Sequence, residues 1–143
     1  MAIDDRNTDN FNLQEINDVH REIITTDRIA PSVGPFSAAV RAGALLFLSG
    51  QVALDPATGK LVAGDIGAQT EQIFANISAV LEAAGKSFDD VMKTTVYLAD
   101  MKDFGAMNTV YARYFEAPYP ARTTIQVAAL PLGATVEIEV VAR

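Results

Sequence analysis

Arg122, Glu137 and Glu139 are the side chains whose types and spacing point first to chemistry. They lie in two alternating stretches, Pro120 to Val127 and Val136 to Val141. In the first, Thr123, Ile125 and Val127 face one way and Arg122, Thr124 and Gln126 the other. In the second, Val136, Ile138 and Val140 oppose Glu137, Glu139 and Val141. Pro131 and Gly133 in the link predict a hairpin with one apolar face and with the arginine and both glutamates on the other. A guanidinium can grip both oxygens of a carboxylate ligand with its planar donors. A nearby carboxylate can position or deprotonate a water. Pairing Gln126 with Glu137 would set Arg122 about four residues away, roughly 13 Å at ~3.3 Å per residue. The plainer reading is a solvated edge carrying surface charges.

Several elements must position these groups. Phe36 to Val40 and Leu45 to Gly50 read as strands around a tight link at Ala42-Gly43. The second is almost wholly apolar, as a strand covered on both faces would be. It ends in Ser49-Gly50-Gln51, where a glycine either lets a ligand approach the backbone or marks a bulge. Asp65 caps a helix that runs to about Ala84 and stops at Gly85. Its buried stripe is Ile66, Ile73, Ile77, Val80, Leu81 and Ala84, with Gln69, Gln72, Asn76 and Glu82 turned outward. Lys93 to Ala99 is a further strand. Asp103 caps a second helix through Tyr114 or Phe115, with Phe104, Met107 and Tyr111 facing the core. Asn108 between them is either a satisfied core amide or a ligand contact. The predicted order is β-β-α-β-α-β-β, an α+β domain with both helices on one face of a sheet.

Composition narrows the chemistry. The 143 residues are enough for one domain with a real core. Absence of cysteine removes disulfides and thiolate chemistry, and a single histidine, His20, leaves no basis for a histidine metal site or triad. Eleven basic against 18 acidic residues give a net charge of −7, which repels phosphate backbones and makes nucleic acid an unfavoured partner. No apolar run is long enough for a membrane helix, and no secretion or mitochondrial leader is recognisable, so a soluble cytoplasmic domain is expected. Residues 1–22 read as an acidic, flexible extension, and 23–143 as a single domain.

The motifs Gly34-Pro35-Phe36-Ser37, Leu48-Ser49-Gly50-Gln51, Lys93-Thr94-Thr95-Val96, Asn108-Thr109-Val110-Tyr111, Pro120-Ala121-Arg122 and Val136-Glu137-Ile138-Glu139 occur in the order found in the RidA/YjgF family. The resemblance covers roughly residues 23 to 143. It implies a chorismate-mutase-like α+β fold and a homotrimer with a cleft between each pair of subunits. It also implies hydrolysis of reactive enamines and imines, of the 2-aminoacrylate and 2-iminopropanoate type, to 2-keto acids and ammonia without metal or cofactor. By this resemblance Arg122 holds the substrate carboxylate and Glu137 contacts the attacking water, while Phe36, Ser49, Gly50, Asn108 and Thr124 line the cleft. Two positions depart from the family pattern: Phe36 stands where tyrosine is frequent, and Thr124 where some members have cysteine. Other readings are deamination of a 2-aminomuconate-type intermediate, ribonuclease or translation-inhibitor activity, and a chaperone-like ligand-binding trimer.

Overall fold

The computed structural model describes residues 20–143. Its one six-stranded sheet comprises β1 (Glu22–Ile24), β2 (Ala39–Ala42), β3 (Leu45–Gln51), β4 (Val91–Leu98), β5 (Ala121–Gln126) and β6 (Val136–Ala142), in the spatial order β1-β2-β3-β6-β4-β5. The β4–β5 pair is parallel and every other pair antiparallel, so the sheet is mixed. Helices α1 (Ile66–Ala83) and α2 (Phe104–Tyr111) cover one face. Strand β1 extends the predicted order by one element. Its three residues are too few for periodicity to reveal, and Glu22, assigned to the extension, opens it. Of the proposed extension, residues 1–19 lie outside the described residues.

Alternation sorts each strand between a covered and an open face. Ile24, Ala39, Leu48 and Val140 follow one another across β1, β2, β3 and β6, and all are buried beneath the helices. Neighbouring Ile23, Val40, Phe47 and Val141 form the corresponding row on the open face, where Ile23 and Phe47 remain exposed. Among the described residues, β3 is thus covered on one side only, although its apolar run predicted cover on both.

Asp65 caps α1 as expected, its carboxylate accepting from the Ala68 N–H at 3.0 Å. At the other end Gly85 takes a left-handed φ of 73°. The N–H groups of Gly85 and Lys86 return to the carbonyls of Glu82 and Leu81, closing a Schellman motif. Ile73, Phe74, Ile77, Val80 and Leu81 are fully buried, and Phe74 stacks on Tyr114 with ring centroids 4.4 Å apart. Two α1 residues placed outward are instead buried. Asn76 donates to the Leu54 carbonyl at 2.9 Å, and Gln69 accepts from the Thr135 hydroxyl at 2.7 Å. Their amides satisfy loop groups that would otherwise be stranded in the core.

Helix α2 is shorter than predicted. It ends at Tyr111, and its entry is a 3₁₀ turn, Met101–Asp103, capped by Asp100 through Lys102 N–H at 2.9 Å. Asp103 makes no side-chain cap. The strand predicted over Phe36 to Val40 begins only at Ala39, because Gly34 and Pro35 hold Phe36 in the preceding turn.

The largest correction concerns the predicted hairpin. Strands β5 and β6 do not pair; β4 lies between them. Both Pro/Gly punctuation and alternation were compatible with a hairpin, but residues 127–135 span β4 instead of turning back. Tyr97, not Gln126, therefore stands opposite Glu137.

Candidate active site

The registers place Arg122 opposite Thr94 and Glu137 opposite Tyr97. Thr94 and Tyr97 are three residues apart on one regular strand, so their side chains leave opposite faces of the sheet. Arg122 thus belongs to the helix face and Glu137 to the open face, against the expectation of a shared face. The predicted site residues fall into two groups on the same division.

The first group is built on β5 and α2. Arg122 Nη1 donates to Asn108 Oδ1 at 2.6 Å. Its guanidinium lies 4.6 Å from the centre of the Tyr111 ring and 5.6 Å from that of Phe104. Phe104, Asn108 and Tyr111 occur at i, i+4 and i+7, one stripe of the helix, so a single turn geometry supplies the amide and both rings. The Tyr111 hydroxyl is bonded to the buried Thr94 hydroxyl at 2.8 Å, which fixes the ring. No carboxylate of the described residues pairs with Arg122. Beside it a shallow hollow is lined by Asn108, Thr109, Tyr119 and Pro120. Thr124, one alternation along β5, is half-buried, and its hydroxyl has no hydrogen-bond partner among the described residues.

The second group surrounds a bulge in β3. Leu48 pairs with Val140 and Gln51 with Ile138, so Ser49 and Gly50 together oppose the single residue Glu139. Ser49 donates its hydroxyl to the Ser37 carbonyl at 2.6 Å, tying the bulge to the loop before β2. A Cβ on Gly50 would stand 2.1 Å from Glu137 Oε1, so glycine is what allows the carboxylate to lie there. Burial, and behind it the charge of Glu139, holds Glu137 above the ordinary carboxylate range. Glu139 accepts from the Tyr97 hydroxyl at 2.6 Å; that bond, with burial, pushes the phenol up to about 12. Phe36, Ser49, Gly50, Glu137 and Glu139 line a cavity of about 530 Å³.

Sequence reasoning therefore named members of both groups and misjudged how they meet. It assigned Tyr111 to the core, where it also stacks on Arg122; its position three residues after Asn108 was the available signal. The Tyr97–Glu139 bond depends on pairing between distant strands and had no local signal. Chemically, one group offers a fixed cation with no carboxylate partner among the described residues, and the other a carboxylate whose pKa burial raises.

A family model described as endoribonuclease L-PSP matches residues 25–143. A RutC family protein of Pyrococcus horikoshii is 50% identical over 122 residues, covering 85% of this chain and 97% of that protein. The mouse 2-iminobutanoate/2-iminopropanoate deaminase is 47% identical over 122 residues, covering 85% of this chain and 90% of that protein. Among solved structures, the RidA of an Antarctic Psychrobacter species superposes with a TM-score of 0.82 at 47% identity, covering 85% of this chain and 98% of that one. The chain belongs to the RidA/YjgF family.

Proposed function

We propose that this protein hydrolyses the C=N bond of reactive 2-imino acids, and of the enamines that tautomerise to them, to 2-keto acids and ammonia. The observation that carries this reading is Arg122: a guanidinium fixed by an amide and an aromatic face, yet without a carboxylate partner among the described residues. Such a group suits the carboxylate of a small acid. The similarity to the mouse 2-iminobutanoate/2-iminopropanoate deaminase supports the same substrate class.

The imine carbon is already electrophilic, so positioning and proton transfer are the tasks left to the protein. Glu137 accepts a proton from the attacking water as its oxygen bonds to the imine carbon. Returning that proton to nitrogen gives the carbinolamine, whose hydroxyl proton then passes through Glu137 to the amine and makes ammonia the leaving group. Collapse of the carbinolamine forms the keto C=O bond and breaks the C–N bond. A carboxylate with a raised pKa suits both directions of this transfer. Ser49, Gly50 and Phe36 shape the cavity beside Glu137 and Asn108 lines the hollow beside Arg122, while Thr124 follows Arg122 by two residues on β5.

Arg122 and Glu137 leave opposite faces of the sheet, so a complete site takes its cation from one copy of the chain and its carboxylate from another. The arrangement proposed is a homotrimer of the chorismate-mutase-like type with clefts between subunits. Its interface would cover the open face, where Ile23 and Phe47 are exposed. The test joins two measurements: ammonia and keto-acid release from freshly generated imines, and light scattering. The expected results are catalysed hydrolysis and a mass about three times 15.3 kDa. A monomer at micromolar concentration that still hydrolyses imines would overturn the shared site, and absence of hydrolysis would overturn the activity.

A further inference from the structure

The cavity beside Glu137 has a character that deamination of a small imino acid does not require. Its polar end carries Glu137 and Glu139, and the loops around it bring Ile29, Val33, Phe36, Leu54 and Leu132 to the lining. Several of these side chains are not buried by the fold. Val33 is 88% exposed, Leu132 65% and Phe36 52%. Apolar side chains gathered around one cavity in this state leave surface for a ligand to cover.

Backbone geometry adds an independent sign. Leu132 is the one non-glycine residue with a left-handed φ, 59°, among the described residues. Leucine gains nothing from that conformation, which is usual for glycine and tolerated by asparagine. Strained positions of this kind gather at ligand clamps. Here the strain holds an apolar side chain at the cavity edge, next to Pro131 and just before the strand that carries Glu137.

Resting on the imine-deaminase reading, we propose that the cavity selects 2-imino acids with a large apolar side chain, aromatic or branched. Val33, Phe36 and Leu132 enclose that side chain while Glu137 addresses the imine carbon. A methyl side chain leaves most of the roughly 530 Å³ unfilled. A second carboxylate on the substrate meets Glu137 and Glu139, so dicarboxylic imines are disfavoured.

The test uses the full chain and imines released by an amino acid oxidase from phenylalanine, leucine, alanine and glutamate. The expected kcat/KM for the first two exceeds that for alanine by roughly tenfold or more, since each added methylene in an apolar pocket is worth ~10-fold or above. The glutamate product should be the poorest substrate. The double variant Val33→Ser with Leu132→Asn, both at exposed positions and the second suited to the left-handed backbone, should lower the phenylalanine-to-alanine ratio severalfold. Equal or better hydrolysis of the alanine-derived imine by the parent chain overturns the proposal. So does a ratio unmoved in the double variant, including the case where light scattering shows altered assembly instead, because these residues would then cover a neighbouring copy. Failure of the parent on all four imines removes the deaminase reading itself, and the selectivity falls with it.

Discussion

Gly50 lies directly beneath Glu137, closer than any side chain would permit. An added Cβ would stand 2.1 Å from Oε1 and 3.0 Å from Cδ of the glutamate. The obstructing atoms belong to the end of a flexible side chain, so Gly50→Ala can be accommodated by turning the carboxylate away. Stability should change little while hydrolysis falls by an order of magnitude or more, as expected when a catalytic group is displaced by about an ångström. Thermal melts beside imine hydrolysis check this. A variant with parental activity would mean that Glu137 works from some other position.

Arg122→Ala removes a charge-assisted contact of about 2–4 kcal/mol, or roughly 30- to 1000-fold in kcat/KM. Arg122→Lys should recover only part of the loss, because an ammonium cannot reproduce the two-pronged contact. Both variants should keep the parental melting temperature within a few degrees. The kinetic loss should appear with substrates that carry a carboxylate, and parental kcat/KM in the alanine variant would exclude Arg122 from binding.

The support beneath that arginine can be dissected at Tyr111. Tyr111→Phe keeps the ring under the guanidinium but leaves the Thr94 hydroxyl without its partner in a fully buried position. The cost should be about 1–2 kcal/mol of stability with activity largely retained. Tyr111→Leu also removes the aromatic face, whose contact with a cation is worth about 1 kcal/mol, so kcat/KM should fall about fivefold further. Equal kinetics in the two variants would show that the ring serves packing only.

Acidity offers a separate handle on Glu137. Its neighbours are Gly50 on β3, Tyr97 on β4 and Glu139 on its own strand. Burial is the first cause of its raised pKa and Glu139 the second, so kcat/KM should decline as pH falls through a value above the ordinary 4.5. Glu139→Gln removes one negative neighbour, and the acid limb should move to lower pH. For stability the sign reverses: a raised folded-state pKa contributes stability in full below the unfolded value, and that stability is lost as pH rises through the folded one. Glu137→Gln should therefore slow hydrolysis and flatten this part of the stability profile. Kinetic pH profiles and melting curves of the two variants provide the check, and an acid limb unmoved in Glu139→Gln would discount the coupling.

Much of the fold was legible because its signals are local. Alternation located β5 and β6, β-branched composition located β4, and Asp65 with Gly85 bounded α1 to within a residue. Strand order was not local. The segment after Gln126 has the composition of a turn, and nothing within it shows that it crosses β4. For the site, Arg122 and Glu137 stood out as charges within apolar strands. Their facing depended on which strand lies between β5 and β6, so one wrong pairing put them together when the sheet holds them apart. Gln69 and Asn76 were misplaced for a related reason: periodicity reads an amide as solvent-facing, and cannot see the loop carbonyl or hydroxyl that it serves.

The separation of Arg122 from Glu137 by the thickness of the sheet bears on how activity should be assayed. In the proposed shared site, folding of one chain leaves the site unfinished and association completes it, and association obeys mass action. Specific activity should drop on dilution below the subunit dissociation constant even while circular dichroism reports intact secondary structure. Exchange should act in the opposite direction. Arg122→Ala chains retain the carboxylate that Glu137→Gln chains lack, and the reverse, so two nearly inactive preparations should gain activity when mixed.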